Sequence, residues 1–377
     1  MNDFVYDGLT DIGHEEDSPT VRLFYEVLMY GYQAGASDIH LEPMETNLQI
    51  RVRIDGILRV YRCLEKSVYL PLMTCAKIRS GMDIAEKRLP QDGHCRVKIA
   101  ETELNLRTST MPTIFGENMV LRFLNRNMIV DRPDTFGMDA VHYRKMLAML
   151  KRPSGMIYFT GPTGSGKTTT LYMILERLAQ EPLNIMTIED PVEKVIPGIS
   201  QSQVNRQSGF SFETGLRAIL RQDPDILMVG ETRDSETAKL SIRAASTGNL
   251  VFSTLHTKSA AGAISRLHDL GVEPYMVAEC LNGVVSQRLA KKVCNGCRGK
   301  GCFLCNGTGY RGRIAVHEIL IIDSHIRKMI VEQKSTEEIF LYAKESQNMI
   351  SLKEQVLRLV EEGITSIEEC YRLVDFE

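Results

Sequence analysis

The chain has no apolar run approaching the ~18–20 residues that cross a bilayer. Its start, Met1-Asn2-Asp3-Phe4, carries neither the basic nor the apolar region of a secretory signal. Internal repeats and low-complexity tracts are also missing. So is a strong charge excess: the net charge is -3, which argues against attachment to nucleic acid by bulk electrostatics. These absences point to a soluble protein of the cytoplasm, where its nine cysteines are expected to stay reduced. A membrane role would then run through a partner already embedded there. What remains is an ordinary globular composition, 43% hydrophobic and 25% charged, over 377 residues. That length suffices for two domains, each burying its own core.

Residues ~20–124 read as a small α+β domain. Val21 to Ala34 places Val21, Leu23, Phe24, Val27 and Leu28 at helical spacing. Ala36 to Pro43 reads as a turn into a short strand. Leu48 to Ile54 alternates with period two, and Asp55-Gly56 before Ile57 predicts a hairpin with a type I′ turn. Arg51 and Arg53 would then share a sheet face. Further strands are expected near His94–Ile99 and Leu104–Thr108. Residues 125–137, with Asp131-Arg132-Pro133-Asp134 and no periodicity, read as a linker. From 138 to 377 short apolar runs (Met156–Phe159, Asn184–Ile188, Ile226–Val229, Leu250–Thr254) alternate with helical stretches, the pattern of an open α/β sheet.

The first of those runs enters Gly161-Pro162-Thr163-Gly164-Ser165-Gly166-Lys167-Thr168, a complete phosphate-binding loop, and Thr169 to Leu175 continues with helical periodicity. Glycines let the backbone turn tightly and aim N–H groups at phosphate oxygens, and the following helix adds its positive end. Lys167 is then placed to reach the β- and γ-phosphates and the Thr168 hydroxyl to ligate Mg²⁺, so the segment predicts binding of a nucleoside triphosphate. Triphosphate cleavage also needs a metal ligand and a group that positions water. Polar residues end three of the predicted strands: Glu189-Asp190-Pro191-Val192-Glu193, Gly230-Glu231, and Leu255-His256.

Cys294-x₂-Cys297-x₄-Cys302-x₂-Cys305 supplies two thiolate pairs with the spacing of a tetrahedral zinc site. Two disulfides or four free thiols are the alternatives.

In this order the motifs resemble the secretion ATPases that drive type II secretion, type IV pilus assembly and competence pseudopili. The resemblance covers nearly all of residues 18–374. It includes Gly35 to Pro43, Arg51 to Gly56, Arg88-Leu89-Pro90-Gln91-Asp92-Gly93, Ile188 to Glu193, Leu220 to Asp225 running into Gly230 to Asp234, Ser253 to Thr257, and Thr308 to Arg313. It implies a PAS-like first domain and a RecA-like P-loop ATPase domain with a four-cysteine zinc insertion (290–313) and a helical tail (320–377). It implies that Glu193 polarises the attacking water, that Glu231 holds Mg²⁺, and that His256 senses the γ-phosphate. Arg51, Arg53, Arg88 and Arg107 would reach nucleotide across a subunit boundary, with Arg221 and Arg266 as weaker candidates. ATP, Mg²⁺ and Zn²⁺ are the implied cofactors. The implied assembly is a homo-hexamer on an inner-membrane platform protein, at the inner face of the cell membrane and without direct nucleic-acid contact.

By the same resemblance a zinc site favours assembly over retraction, and the lack of a large extra amino-terminal domain favours compact competence or Gram-positive members. The cysteine pairs usually stand farther apart in the family. Asn249, His94, Ala315 and His317 also depart from its pattern, where histidine, arginine, glycine and tyrosine are more usual. A pilus-retraction ATPase and a nucleic-acid-translocating ATPase are the competing readings.

Overall fold

The Asp55-Gly56 hairpin is present in the computed structural model, with both residues at positive φ (49° and 81°) as a type I′ turn requires. The structure describes residues 18–99, 102–124, 133–205, 208–305 and 307–374. The chain divides into two compact units, Met1–Met128 and Ile129–Glu377. Most of the linker expected over 125–137 lies outside the described residues.

The first unit contains α1 (Pro19–Ala34), β1 (Ala36–Pro43), β2 (Asn47–Ile54), β3 (Ile57–Glu65), α2 (Tyr69–Arg79), β4 (Gln91–Ile99), β5 (Thr102–Thr113) and β6 (Gly116–Phe123). Its sheet runs β3-β2-β1-β6-β5-β4, with every pair antiparallel. One face is apolar: Ile39, Leu41, Ile50, Val52, Leu106 and Leu121 bury against Phe24, Leu28 and Leu72 of the two helices. The period-two pattern sends the alternate residues to the other face. There a cross-strand row runs Arg53, Asp38, Arg122, Arg107 and His94.

The second unit contains α3 (Ala140–Leu150), β7 (Gly155–Thr160), α4 (Lys167–Leu178), β8 (Ile185–Glu189), β9 (Ser200–Gln203), α5 (Phe212–Ile219), β10 (Ile226–Val229), α6 (Ser235–Ser246), β11 (Leu250–Leu255), α7 (Gly262–Asp269), α8 (Pro274–Cys280), β12 (Leu281–Val293), β13 (Tyr310–Ile321), α9 (Ser324–Val331), α10 (Thr336–Gln347), α11 (Leu352–Glu361) and α12 (Ile367–Leu373). The sheet order is β13-β12-β7-β11-β10-β8-β9. Strands β7 to β12 pair in parallel, and β13 closes one edge antiparallel to β12. Helices α3 and α4 cover one face through Met146, Met149, Leu171 and Ile174, while α5 to α10 bury the other. Strands buried on both faces read as unbroken apolar runs, which is why β7, β10 and β11 were legible.

Two expectations need correction. The four-cysteine segment is the end loop of the long β12–β13 ribbon, which the sequence reading did not predict as strands. The helical tail starts at Ser324 rather than at residue 320, because Ile319 and Leu320 are still buried in β13 and Asp323 caps α9 through the N–H groups of His325 and Ile326.

A partly buried polar knot joins α3, β13 and α11. Asp139 caps α3 and meets His142 Nδ1 at 2.7 Å; Gln355 of α11 donates to Asp139 at 2.6 Å and accepts from the His317 backbone N–H at 2.7 Å. The His142 and His317 rings are 6.4 Å apart, and neither Nε2 has a hydrogen-bond partner. Burial, and then His142, push the His317 pKa down to about 3, with Asp139 opposing. An unfolded histidine titrates near 6.5, so below that pH the unfolded chain takes up a proton that the fold refuses. The stabilisation is complete above pH ~6.5 and is lost as pH falls towards 3. His317→Phe should flatten this dependence by on the order of 3 kcal/mol. Thermal unfolding of both proteins between pH 7 and pH 4 measures it; parallel curves would contradict the assignment.

Candidate functional site

Register brings the polar residues to one edge of the second sheet. Thr160 of β7 pairs with Leu255 of β11 and with Ser286 of β12, so Gly161, His256 and Gln287 follow side by side at the carboxyl ends. Val229 of β10 pairs with Ser253 and with Ile188, which sets Glu231 and Glu189 on the same edge. Ligands of open α/β sheets bind beyond this edge.

The 161–168 loop rests on β12. Gln287 Nε2 donates to the Ser165 carbonyl at 3.0 Å, and Thr170 of α4 donates to Gln287 Oε1 at 2.9 Å. Gly161 (φ 147°) and Gly166 (φ 89°) lie against it: added Cβ atoms would stand 2.5 Å from the Gln287 carbonyl and 2.7 Å from Nε2. Glycine is thus required there by space as well as by φ. Pro162, Thr163 and Gly164 form the exposed crest, and Thr168 and Thr169 open α4 half-buried. The buried Ser165 Oγ has no hydrogen-bond partner, an orphan that a phosphate-binding loop explains.

Lys167 is buried, its ammonium donating to the carbonyls of Gly161 (2.7 Å) and Pro162 (3.1 Å). Burial, then Arg288, lower its pKa to about 8, against the attraction of Glu231. Arg288 donates to the carbonyls of Gln287 and Lys258. A cation with only carbonyl partners beside a second cation suits an anionic ligand. Exposed His256 titrates below its ordinary value through burial, then Lys167, with Arg233 adding and Glu231 opposing. Glu231 pairs with Arg233 at 2.5 Å. Lys167, Glu231 and His256 therefore share one electrostatic environment.

The exposed Glu193 lies beyond the cis Asp190–Pro191 bond. Its N–H donates to the Tyr172 hydroxyl at 2.9 Å, and that hydroxyl donates to Glu189. Glu189 is buried and also accepts from Thr187 (2.7 Å) and Gln201 (3.0 Å). Its oxygens are committed to holding the turn that presents Glu193.

The expected arginines occupy the first unit. Arg51 donates to Glu42 at 2.5 Å; Arg53 donates to the Gly56 carbonyl and lies 3.8 Å from Asp38, which Arg122 also reaches at 2.7 Å. Arg88 is 90% exposed beside Glu86, on a loop whose Asp83 and Glu86 carbonyls accept from Gln91. Buried Lys77 supports that loop from below, 2.6 Å from both Glu117 and the Glu86 carbonyl. Arg107 is exposed on β5. In the second unit, Arg221 and Arg266 are exposed, Arg221 donating to the Arg217 carbonyl.

The four thiols of Cys294, Cys297, Cys302 and Cys305 converge, all within 4.8 Å of one another. Three contacts measure 3.8, 3.7 and 3.8 Å (294–302, 297–305, 302–305). A tetrahedron of sulfurs ~2.3 Å from zinc has edges of ~3.8 Å, whereas a disulfide needs ~2.05 Å. Backbone N–H groups of Gly301, Cys302 and Gly309 point at sulfur, as they do around bound thiolates. The donor set fits zinc.

Comparison with known proteins fits this geometry. The family described as "Type II/IV secretion system protein" matches residues 13–372. The chain belongs to that family. It is 43% identical over 381 residues to the type IV pilus assembly ATPase PilB of Thermus thermophilus, covering 94% of this chain and 43% of that protein. It is 43% identical over 374 residues to the type II secretion system protein HxcR of Pseudomonas aeruginosa (97% and 80% covered). Against the type II secretion system protein E of Klebsiella pneumoniae the identity is 41% over 384 residues (96% and 77%). The chain thus spans less than half of the first relative and about four fifths of the others. Among solved structures, the pilus retraction motor PilT with bound ADP superposes with a TM-score of 0.68 at 26% identity, covering 93% and 96% of the two chains. Legionella pneumophila DotB, at 0.73 and 21% identity (97% and 98%), shares the fold.

The relatives above are named for type II secretion and, as an ATPase, for type IV pilus assembly, and the loop geometry is that of a phosphate-binding loop. Sequence reasoning missed Gln287, Arg288, Tyr172 and the anchoring part played by Glu189. A glutamine and an arginine inside a strand carry no motif of their own; only the parallel pairing of β12 with β7 sets them under the loop. Gly166→Ala and Gln287→Ala should each weaken nucleotide binding about tenfold (~1.4 kcal/mol), one by a clash at positive φ and the other by lost support. The double variant should lose less than the sum, since Gln287→Ala makes room for the added methyl. Titration with a fluorescent ATP analogue reads all three, and strict additivity would mean that the two residues do not meet.

Proposed function

We propose that the chain hydrolyses ATP to power assembly of a type IV pilus, a competence pseudopilus or a type II secretion pseudopilus. The observation carrying this reading is the seated phosphate loop flanked by Glu231, His256 and the Glu189-anchored Glu193 at one sheet edge, in a chain of this family. Lys167 and the loop N–H groups bind the β- and γ-phosphates. Thr168 and Glu231 would hold Mg²⁺, which would supply positive charge beside the phosphoryl group. Glu193 polarises water, and His256, neutral at pH 7, contacts the γ-phosphate as a hydrogen-bonding group. Arg51, Arg53 and Arg88, with Arg107, come from a neighbouring subunit of a homo-hexamer. Cys294, Cys297, Cys302 and Cys305 hold a structural zinc, and the ring works in the cytoplasm on a membrane platform protein. Relatives near 40% identity are named for assembly and secretion, while the retraction motor stands at 26%.

Lys167→Ala should reduce ATP turnover about 10²–10³-fold, the ~3–4 kcal/mol typical of one preorganised contact to developing charge. Glu193→Gln should keep ATP binding and abolish most turnover. Full activity of Glu193→Gln would defeat the assignment, since the Glu189 carboxylate is engaged by three donors. Metal analysis of the purified chain should return one zinc per polypeptide, lost in Cys297→Ser/Cys302→Ser.

A further inference from the structure

The end loop of the β12–β13 ribbon has a chemistry that the ATPase reading leaves unused. From Cys280 to His317 the chain carries seven Lys or Arg and no Asp or Glu. A Zn²⁺ ion with four thiolates adds only two negative charges, so the segment stays cationic in a chain whose net charge is -3. Arg298, Lys300 and Arg311 are exposed around the cysteines. At the apex, Phe303 and Leu304 form a 3₁₀ turn with Cys305 and are 85% and 55% exposed. The cause is geometric: Cys302 and Cys305 turn their sulfurs inward, which drives the two residues between them outward.

The tail of the described fold is bonded to the base of this ribbon. Val293 N–H donates to the Ile364 carbonyl at 2.8 Å, Lys291 pairs with Glu369 at 3.2 Å, and the Tyr310 hydroxyl meets Ser366 at 2.6 Å. Glu369 of the tail thus pairs with Lys291 at the base, and the exposed cations Arg298, Lys300 and Arg311 lie beyond it. Adjacent apolar side chains on a convex apex, ringed by cations, have no shaped pocket to fill. They match a soft anionic surface in which apolar groups sink to the headgroup–acyl boundary while cations stay with the phosphates.

We propose that this apex docks directly on an anionic phospholipid bilayer, Phe303 and Leu304 entering the interface and Arg298, Lys300 and Arg311 contacting lipid phosphates. No described helix is long and apolar enough to cross a membrane, so the contact is peripheral. The ATPase site is not involved.

The test is flotation of the purified zinc-loaded full chain with vesicles of phosphatidylcholine alone or mixed with phosphatidylglycerol. Zinc content and ATP turnover are measured on the same samples. The expected result is association with the anionic vesicles only, weakened by salt. Lys300→Glu should reduce it more than fivefold, because removing one surface cation alone costs about that factor. Phe303→Ser/Leu304→Ser should reduce it at least tenfold, with one zinc per chain and vesicle-free ATP turnover unchanged. The proposal is overturned if the parent chain ignores anionic vesicles at low salt, or if the serine variant floats as well as the parent. It is also overturned if the apex instead captures polyglutamate or single-stranded DNA while vesicles fail to compete. None of these outcomes depends on ATP turnover, so failure here leaves the ATPase assignment standing.

Discussion

The phosphate loop keeps its curvature because it leans on a neighbouring strand. Residues Gly161 and Gly166 face Gln287, and the amide of that glutamine spans from the Ser165 carbonyl to the Thr170 hydroxyl. Its two ends thus bind the loop and the first turn of α4. The loop geometry is fixed before any ligand arrives, so less binding energy is spent on ordering it. The other strand ends gain their positions from the same parallel register.

Below this contact the interior holds further polar groups. Gln287 lies opposite His317 across the β12–β13 pair, and His317 lies against His142 and the backbone partner Gln355. A row of polar side chains therefore passes from the nucleotide loop towards the tail helix α11. In the first unit the Lys77–Glu117 pair plays a comparable local part beneath the loop carrying Arg88. Buried charge of this kind adds little net stability, and its value lies in fixing one arrangement.

Much of this was legible in the sequence where one physical constraint dominates. The phosphate loop needs glycine, lysine and threonine at set spacing, the Asp55-Gly56 turn needs positive φ, and thiolate pairs need two intervening residues. Strands buried on both faces announced themselves as apolar runs. Helix α2 was missed because Tyr69 to Arg79 places Lys77 in its buried stripe while Leu70 and Ile78 face outward, and Lys77 is buried through Glu117 and the loop carbonyls of Asp83 and Glu86. Strand β6 follows a short turn after β5 and opens with polar Gly116-Glu117-Asn118. Strand β12 places Ser286, Gln287 and Arg288 in the interior, so its central residues look like a loop. Each of these departures depends on a partner far away in sequence, which no local pattern reveals.

The ribbon formed by β12 and β13 also has a mechanical meaning. From Gln287 at the nucleotide loop to Val293 beside the first cysteine, the strand is extended and paired along nearly its whole length, a distance of ~20 Å at ~3.3 Å per residue. A paired strand resists stretching, so axial displacement at one end is transmitted and not absorbed. The cysteine knuckle is then the far end of a stiff pushrod whose near end touches the loop that grips phosphate.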